Sequence, residues 1–283
     1  MKVSVIVTTY NRPDALKKVI LALNSQTRPP DEILVADDGS GPETRNVISS
    51  FQHNSGPPLY HVWQEDKGFR LSRIRNRAVL KSRGEYLILL DGDCIPNRFF
   101  VADHLDLAEK GYFFQGKRAL VNQKLAGGFD FNDTESFVRL ICHTLSGYIS
   151  NAHHIIRIPF FPSSRNRKMS GVRGCNMGFF RQDVEAVNGF NHEFESWGRE
   201  DSEFVARLFR FGLKRKEHPF RAICYHLWHR ENKGTCLEKN EDLLKQALAS
   251  DAFCCARGLR DLKDFNPDMS GGLGGSGEDC KSG

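Results

Sequence analysis

Three pairs of acidic residues, Asp37 with Asp38, Asp91 with Asp93, and Glu200 with Asp201, are the groups in this sequence whose types and spacing suit them to chemistry. Asp91-Gly92-Asp93 closes the apolar run Tyr86-Leu87-Ile88-Leu89-Leu90. A charge at a core edge is expensive unless solvent, a basic side chain or a metal ion compensates it. Two hard oxygen donors aimed at one point suit Mg²⁺ or Mn²⁺, which completes its shell from phosphate oxygens and water. The same tripeptide is also a good surface turn; its place directly after a buried strand favours a metal–diphosphate clamp. Asp37 and Asp38, followed by Gly39-Ser40, read either as a polar turn or as a nucleoside site whose carboxylates accept from a base N–H or ribose hydroxyls. Glu200 and Asp201 open a helical pattern, where they serve equally as complements to the helix dipole or as a proton acceptor.

Strands and helices must carry these groups to one place. Val3 to Val7 is a near-continuous β-branched run, the mark of a strand buried on both faces. "NRPDALKKVILAL" follows, with Pro13 near its start and Leu16, Val19, Ile20 and Leu23 on one side, an amphipathic helix. Strands are expected at Glu32–Ala36, Leu59–Trp63 and Tyr86–Leu90, with a helix over Leu71–Lys81. This alternation predicts an α/β fold with a mostly parallel sheet, whose ligands bind beyond the carboxyl ends of the strands. "TTYNR", "DDGS" and "DGD" all fall at such ends. After Gly111 the pattern loosens, and 122–170 reads as loops and short helices, a mobile segment over the site. Order returns in the helix "EDSEFVARLFRFG", stopped by Gly212, and a strand near Ala222–Tyr225 leads into "HLWHREN". The tail from Asn266 is Gly- and Ser-rich and is expected to be disordered.

Composition bounds the classes. With 40% hydrophobic and 27% charged residues the chain is globular, and its apolar runs are too short to span a bilayer. A net charge of +5 permits polyanionic ligands without demanding them. No zinc-finger or RNA-binding signature appears, so nucleic acid is not expected as a partner. The basic stretches "RLSRIRNR" and "RFGLKRK" read as solvated helix faces. Eight scattered cysteines without metal spacing read as reduced thiols. "MKVSVIVTT" reads as a first strand and not as a signal peptide, which places the protein in the cytoplasm.

"VSVIVTTYNRPDALKKVILAL", "DEILVADDGS" and "LLDGDCIP" resemble, in that order, the family 2 glycosyltransferases of the GT-A fold. "GFNHEFESWGREDSEFVARLFRFGLK" resembles the carboxyl-terminal segment of β-1,4-galactosyltransferases and bacterial chondroitin-polymerase-type enzymes. The matching segments cover roughly 1–100 and 171–230. The resemblance implies a Rossmann-like GT-A sheet with helices on both faces, divided into a nucleotide-sugar half (1–110), an acceptor-binding and catalytic half (111–265) and the tail (266–283).

It also implies roles. Thr9, Tyr10 and Arg12 line the nucleotide pocket, and Asp37 or Asp38 contacts the base or ribose. Asp93 binds the metal, with Asp91 nearer the ribose or sugar. Arg70 and Arg77 share a helix face; Arg70 is read as a phosphate or donor-sugar contact and Arg77 as a surface residue. Asp201 takes the acceptor proton and Glu200 holds the acceptor, joined by Trp197, Gly198 and Asn176; an indole face is a platform for a sugar ring that a capping motif does not need. Of His226 and His229, one completes the metal shell; His229 is preferred, and mixed His/Asp ligation favours Mn²⁺ over Mg²⁺. The implied reaction is metal-dependent, inverting transfer of a hexose or N-acetylhexosamine from a nucleotide-sugar donor, a UDP-sugar first, to a glycan or glycolipid hydroxyl. Bacterial surface glycan or lipopolysaccharide synthesis, with peripheral contact at the inner membrane face, fits by family analogy. Two rivals stand beside it: a nucleotidyl or phosphoryl transferase, against which no GxxxxGK[ST] loop is present, and a non-catalytic sugar-nucleotide binder.

Overall fold

The computed structural model describes residues 1–52, 55–230 and 237–263. The strands are β1 (Val3–Thr9), β2 (Glu32–Asp37), β3 (Leu59–Trp63), β4 (Tyr86–Asp91), β5 (Cys94–Pro96), β6 (Tyr112–Gln115), β7 (Lys117–Val121), β8 (Ile149–Ser150), β9 (Ser164–Asn166), β10 (Asn176–Phe180), β11 (Lys214–Glu217) and β12 (Ile223–Leu227). The helices that matter to the site are α1 (Pro13–Asn24), α2 (Pro42–Gln52), α3 (Leu71–Lys81), α4 (Phe100–Leu107), α5 (Gln123–Ala126), α6 (Phe131–Glu135), α7 (Phe137–Leu145), α8 (Arg181–Ala186), α9 (Glu200–Arg210), α10 (Leu237–Ala249) and α11 (Leu259–Lys263).

Eight strands form the main sheet in the order β3-β2-β1-β4-β10-β6-β11-β9. The β3–β2, β2–β1, β1–β4 and β6–β11 pairings are parallel; β4–β10, β10–β6 and β11–β9 are antiparallel. The parallel run is as the sequence predicts, but it ends at β4, where β10 enters in the opposite sense. A smaller sheet, β5-β12-β7-β8, stands beside it.

Strand parity divides the core in two. Val3, Val5 and Val7 of β1, Ile33 and Val35 of β2, and Tyr86, Ile88 and Leu90 of β4 face one cluster with α1, α2 and α4. Ile6, Leu34 and Ala36, with Leu87 and Leu89, face the opposite cluster with α3, α8, α9 and α11. This is the period-2 alternation of a strand covered on both faces. The period also decides where the terminal carboxylates go. Asp91 shares parity with Leu87 and Leu89 and so turns toward α3 and α9. Asp37 shares parity with Ile33 and Val35 and turns toward the other layer.

Two expectations need correction, and one helix was not anticipated. Helix α2 does not stand out in the sequence, because only Thr44 and Ile48 along it are buried. The stretch "RFGLKRK" is no solvated helix face: it ends α9 and enters β11, where Arg215 and Lys216 are buried. The stretch "RLSRIRNR" is helical, but Arg75 within it is wholly buried. The irregular 122–170 region contains short helices, as expected, and also two short strands, β8 and β9, which the sequence reading did not include. The tail from Asn266 lies outside the described residues.

Candidate active site

The DGD turn sits where β1, β4, β10 and β12 meet. Thr8 stands opposite Asp91 in the β1–β4 register, and its hydroxyl donates to Asp91 Oδ1 at 2.9 Å. Gly92 N–H donates to the Thr8 carbonyl at 2.7 Å, and a Cβ on Gly92 would meet that same oxygen at 2.7 Å, so any larger residue between the two aspartates collides with β1. Beyond the turn, β5 pairs antiparallel with β12, His226 opposite Cys94. Leu227 N–H donates to the Asp93 carbonyl at 2.9 Å, locking the turn to β12.

The two aspartates then face different neighbours. Asp93 Oδ1 lies 3.6 Å from His226 Nε2, and its Oδ2 lies 3.4 Å from His229 Nε2 and 2.6 Å from Arg12 Nη1. One donor atom from each of Asp93, His226 and His229 fits within 4.8 Å of the others. A carboxylate with two imidazole nitrogens is a donor set suited to Mn²⁺ and its neighbours in the first transition row. Burial lowers the His226 pKa to about 4, against the pull of Asp93, and so keeps its imidazole neutral, the form that ligates a metal.

Asp91 faces the other side, with Arg75 from α3 and the start of α9. Arg75 Nη1 donates to Asp201 Oδ1 at 2.7 Å, its Nη2 lies 3.6 Å from Asp91 Oδ1, and Nη1 lies 3.9 Å from Glu200 Oε1. One buried guanidinium thus serves three carboxylates. Gly174 N–H donates to Asp201 Oδ2 at 2.7 Å, and a Cβ on Gly174 would meet that carboxylate at 2.2 Å. The three acids do not share Arg75 equally. Burial, reinforced by Asp201 and opposed by Arg75, pushes Glu200 up to about 8, and its Oε2 has no hydrogen-bond partner. Burial likewise raises Asp91 to about 6, against the pull of Arg75. Glu200 is therefore largely neutral at pH 7. Asp201, half-buried beside the buried Glu200 and Arg75, keeps a free lone pair on each oxygen beyond the Arg75 and Gly174 bonds.

The remaining sequence candidates fall into two groups. Thr9, Tyr10 and Arg12 do stand at the rim: Thr9 Oγ1 is buried without a partner, and the Tyr10 hydroxyl donates to Asp66 Oδ2 at 2.9 Å. Asp38 receives the Gln64 amide at 2.5 Å and the Arg70 backbone N–H at 2.7 Å, and burial raises its pKa. Trp197 is exposed just before α9, and Gly198 and Arg199 both have positive φ in the turn that starts it. Asp37 does not reach the rim. It is wholly buried, its oxygens taken by Ser40 N–H at 2.8 Å and His61 Nε2 at 2.9 Å, as its parity toward the α1–α2 layer dictates. Asn176 is equally enclosed: its amide donates to the Ala222 and Lys117 carbonyls at 2.8 and 3.1 Å and accepts from His104, so it ties the two sheets together and presents nothing to an acceptor. The Arg70 guanidinium bonds to the Glu65 carbonyl, away from the turn.

Arg75 is the residue that sequence reading passes over. Its signal was available: it falls three and four positions before Ala78 and Val79 and next to Ile74, on the buried face of α3.

Comparison with known proteins names the class. The chain belongs to glycosyl transferase family 2, whose model matches residues 4–185; that for the N-terminal domain of galactosyltransferase matches 157–230. It is 28% identical over 223 residues to a hyaluronan synthase of Pasteurella multocida, and 27% identical over 223 residues to a chondroitin synthase of Escherichia coli. Both alignments cover 74% of this chain but only 23% and 32% of those relatives, so the chain spans about a quarter to a third of their length. Among solved structures, Staphylococcus aureus TarS 1-349 in complex with UDP-GlcNAc superposes with a TM-score of 0.63 at 16% identity, over 87% of this chain and 66% of that one. The mannosyltransferase PcManGT of Pyrobaculum calidifontis, in complex with GDP-Man and Mn²⁺, gives 0.53 at 21% identity, over 82% and 58%. These likenesses establish a GT-A fold. No helix among the described residues is long and apolar enough to cross a membrane.

Proposed function

We propose that the chain is a metal-dependent, inverting glycosyltransferase that moves a sugar from a UDP-type donor to the hydroxyl of a glycan or glycolipid acceptor. One observation carries this reading: a metal-ligand set, Asp93 with His226 and His229, lies two residues from a carboxylate, Asp91, that shares a buried arginine with Asp201. A departing diphosphate and an acceptor base need just such opposed sites. The names of the relatives and the UDP-GlcNAc complex support the donor class.

Asp93, His226 and His229 would hold the cation, which when bound offsets the charge that builds on the leaving diphosphate. Asp38, with Thr9 and Tyr10, would receive the nucleoside; Asp37, turned toward the α1–α2 layer and held by Ser40 and His61, is left out of that set. Asp201 accepts the acceptor proton through the lone pairs left free by Arg75 and Gly174. The acceptor oxygen then bonds to the anomeric carbon as the bond from that carbon to the phosphate oxygen breaks on the opposite face, and nucleoside diphosphate leaves. Glu200, neutral and unpartnered at Oε2, has a proton to donate to an acceptor oxygen, and Trp197 offers a face to its ring. Surface glycan or lipopolysaccharide synthesis at the inner face of the membrane is the setting we assign to it.

Calorimetric titration of UDP, GDP and CMP, each with and without Mn²⁺, tests the reading on wild type and Asp93→Ala. The expected result is UDP binding that needs the metal and weakens at least about 100-fold in the variant. Metal-independent binding, unchanged by the substitution, would sink it.

A further inference from the structure

Helix α7 is amphipathic, yet its apolar side is mostly uncovered. Leu140 is buried, while Phe137, Val138, Ile141 and Leu145 face outward, Val138 and Leu145 being 71% and 83% exposed. The spacing 137, 141, 145 makes a ridge along one face. α7 packs against the short 3₁₀ turn Ala152–Ile155, and the chain leaving that turn carries Ile156, Ile158 and Phe160, the last 96% exposed. That segment is held, not loose: Phe161 stacks edge-on against Phe220 at 4.9 Å, and the Phe161 carbonyl meets His218 Nε2 at 2.6 Å. Its neighbour Phe160 is thereby kept out of the core. Apolar exposure on this scale marks a contact surface.

The charge of the stretch that carries the ridge and runs on past it says what it contacts. From Ser136 to Gln182 the sequence has no Asp or Glu and seven Arg or Lys. The acids just before it are engaged, Asp133 with Arg139 and His143 and Glu135 with Arg98. Arg157 and Arg165 pair with Asp103 and Glu109. Arg167, Lys168 and Arg173 are exposed, with no carboxylate in ion-pair distance among the described residues. A second copy of the chain is a poor occupant, because a two-fold interface would set this acid-free stretch against itself. An anionic lipid surface meets both features.

We propose that the α7 ridge and the 156–161 segment seat the protein on an anionic bilayer, the apolar side chains entering at headgroup level and the basic stretch meeting lipid phosphates. It goes beyond the transfer reading and does not depend on it. The test is flotation of the full chain with vesicles of phosphatidylcholine alone or mixed with phosphatidylglycerol. Wild type is expected to partition at least about 10-fold better onto the mixed vesicles, with the gain falling as salt rises. Val138→Asp/Leu145→Asp/Phe160→Asp should lose that binding on both vesicle types while still binding UDP. Arg167→Ala/Lys168→Ala, with the ridge intact, should lose only the preference for the anionic lipid. Equal flotation of wild type and the triple variant would overturn the proposal. So would a dimer in vesicle-free solution that the triple variant dissociates.

Discussion

Asp91 and Asp93 are two residues apart on one turn, yet they belong to opposite kinds of site. Asp93, the less exposed of the two side chains at 12% against 33%, faces Arg12, His226 and His229. Asp91 closes onto a buried guanidinium shared with Glu200 and Asp201. The difference comes from strand geometry: Asp91 is still in β4 and obeys its alternation, whereas Asp93 lies past the turn and is pinned to β12 through the Leu227 N–H. Beside Arg75, burial raises the pKa of Glu200 and of Asp91, the two carboxylates flanking Asp201.

The largest expected effect falls on the Arg75 side. Asp201→Asn keeps the shape and removes the base, and should lower kcat about 10³-fold while leaving metal-dependent UDP binding within a few-fold. A variant with full activity would move the base elsewhere. Arg75→Met comes next. It strips three carboxylates of their cation and should cost about 3 kcal/mol of stability, read by urea denaturation, with Asp93-dependent UDP binding damaged only indirectly. A loss under about 1 kcal/mol would mean that solvent, not Arg75, compensates the acids.

The Asp93 side should respond more mildly. His229→Ala and His226→Ala are each expected to weaken Mn²⁺-dependent UDP binding about 10-fold, with the double variant resembling Asp93→Ala. If one single variant behaves as wild type, only the other histidine is a ligand. The smallest effect is on stability against pH. Glu200 has its folded pKa raised to about 8, above the usual glutamate range, so the folded state binds the extra proton and wild type loses stability as pH climbs from the unfolded value toward 8. Glu200→Gln cannot ionise. It should melt about 3 °C above wild type at pH 8, the gap closing below the unfolded glutamate pKa; identical melting curves across that range would mean Glu200 is ionised in the fold.

The parallel β1–β4 run, helices α1 and α3, and the position of the DGD turn at a strand end were legible because each depends on local pattern: β-branched runs, Pro13, and apolar periodicity. The glycine between the aspartates, the WGxED start of α9 and the two histidines at the end of β12 were equally visible. The misplaced residues fail for one shared reason. Asp37, Asn176 and Arg75 are polar groups whose direction is set by parity or helix phase against neighbours far along the chain, 24 residues away at His61 for Asp37, 46 at Ala222 for Asn176 and 126 at Asp201 for Arg75. The sequence by itself determined which residues carry charge at strand ends and helix starts, since strand, turn and cap preferences act over a few residues. Only the tertiary structure decided which of those charges meet. An ion pair or a ligand set is a matter of distance in space, and burial sets its energy far more than residue type does.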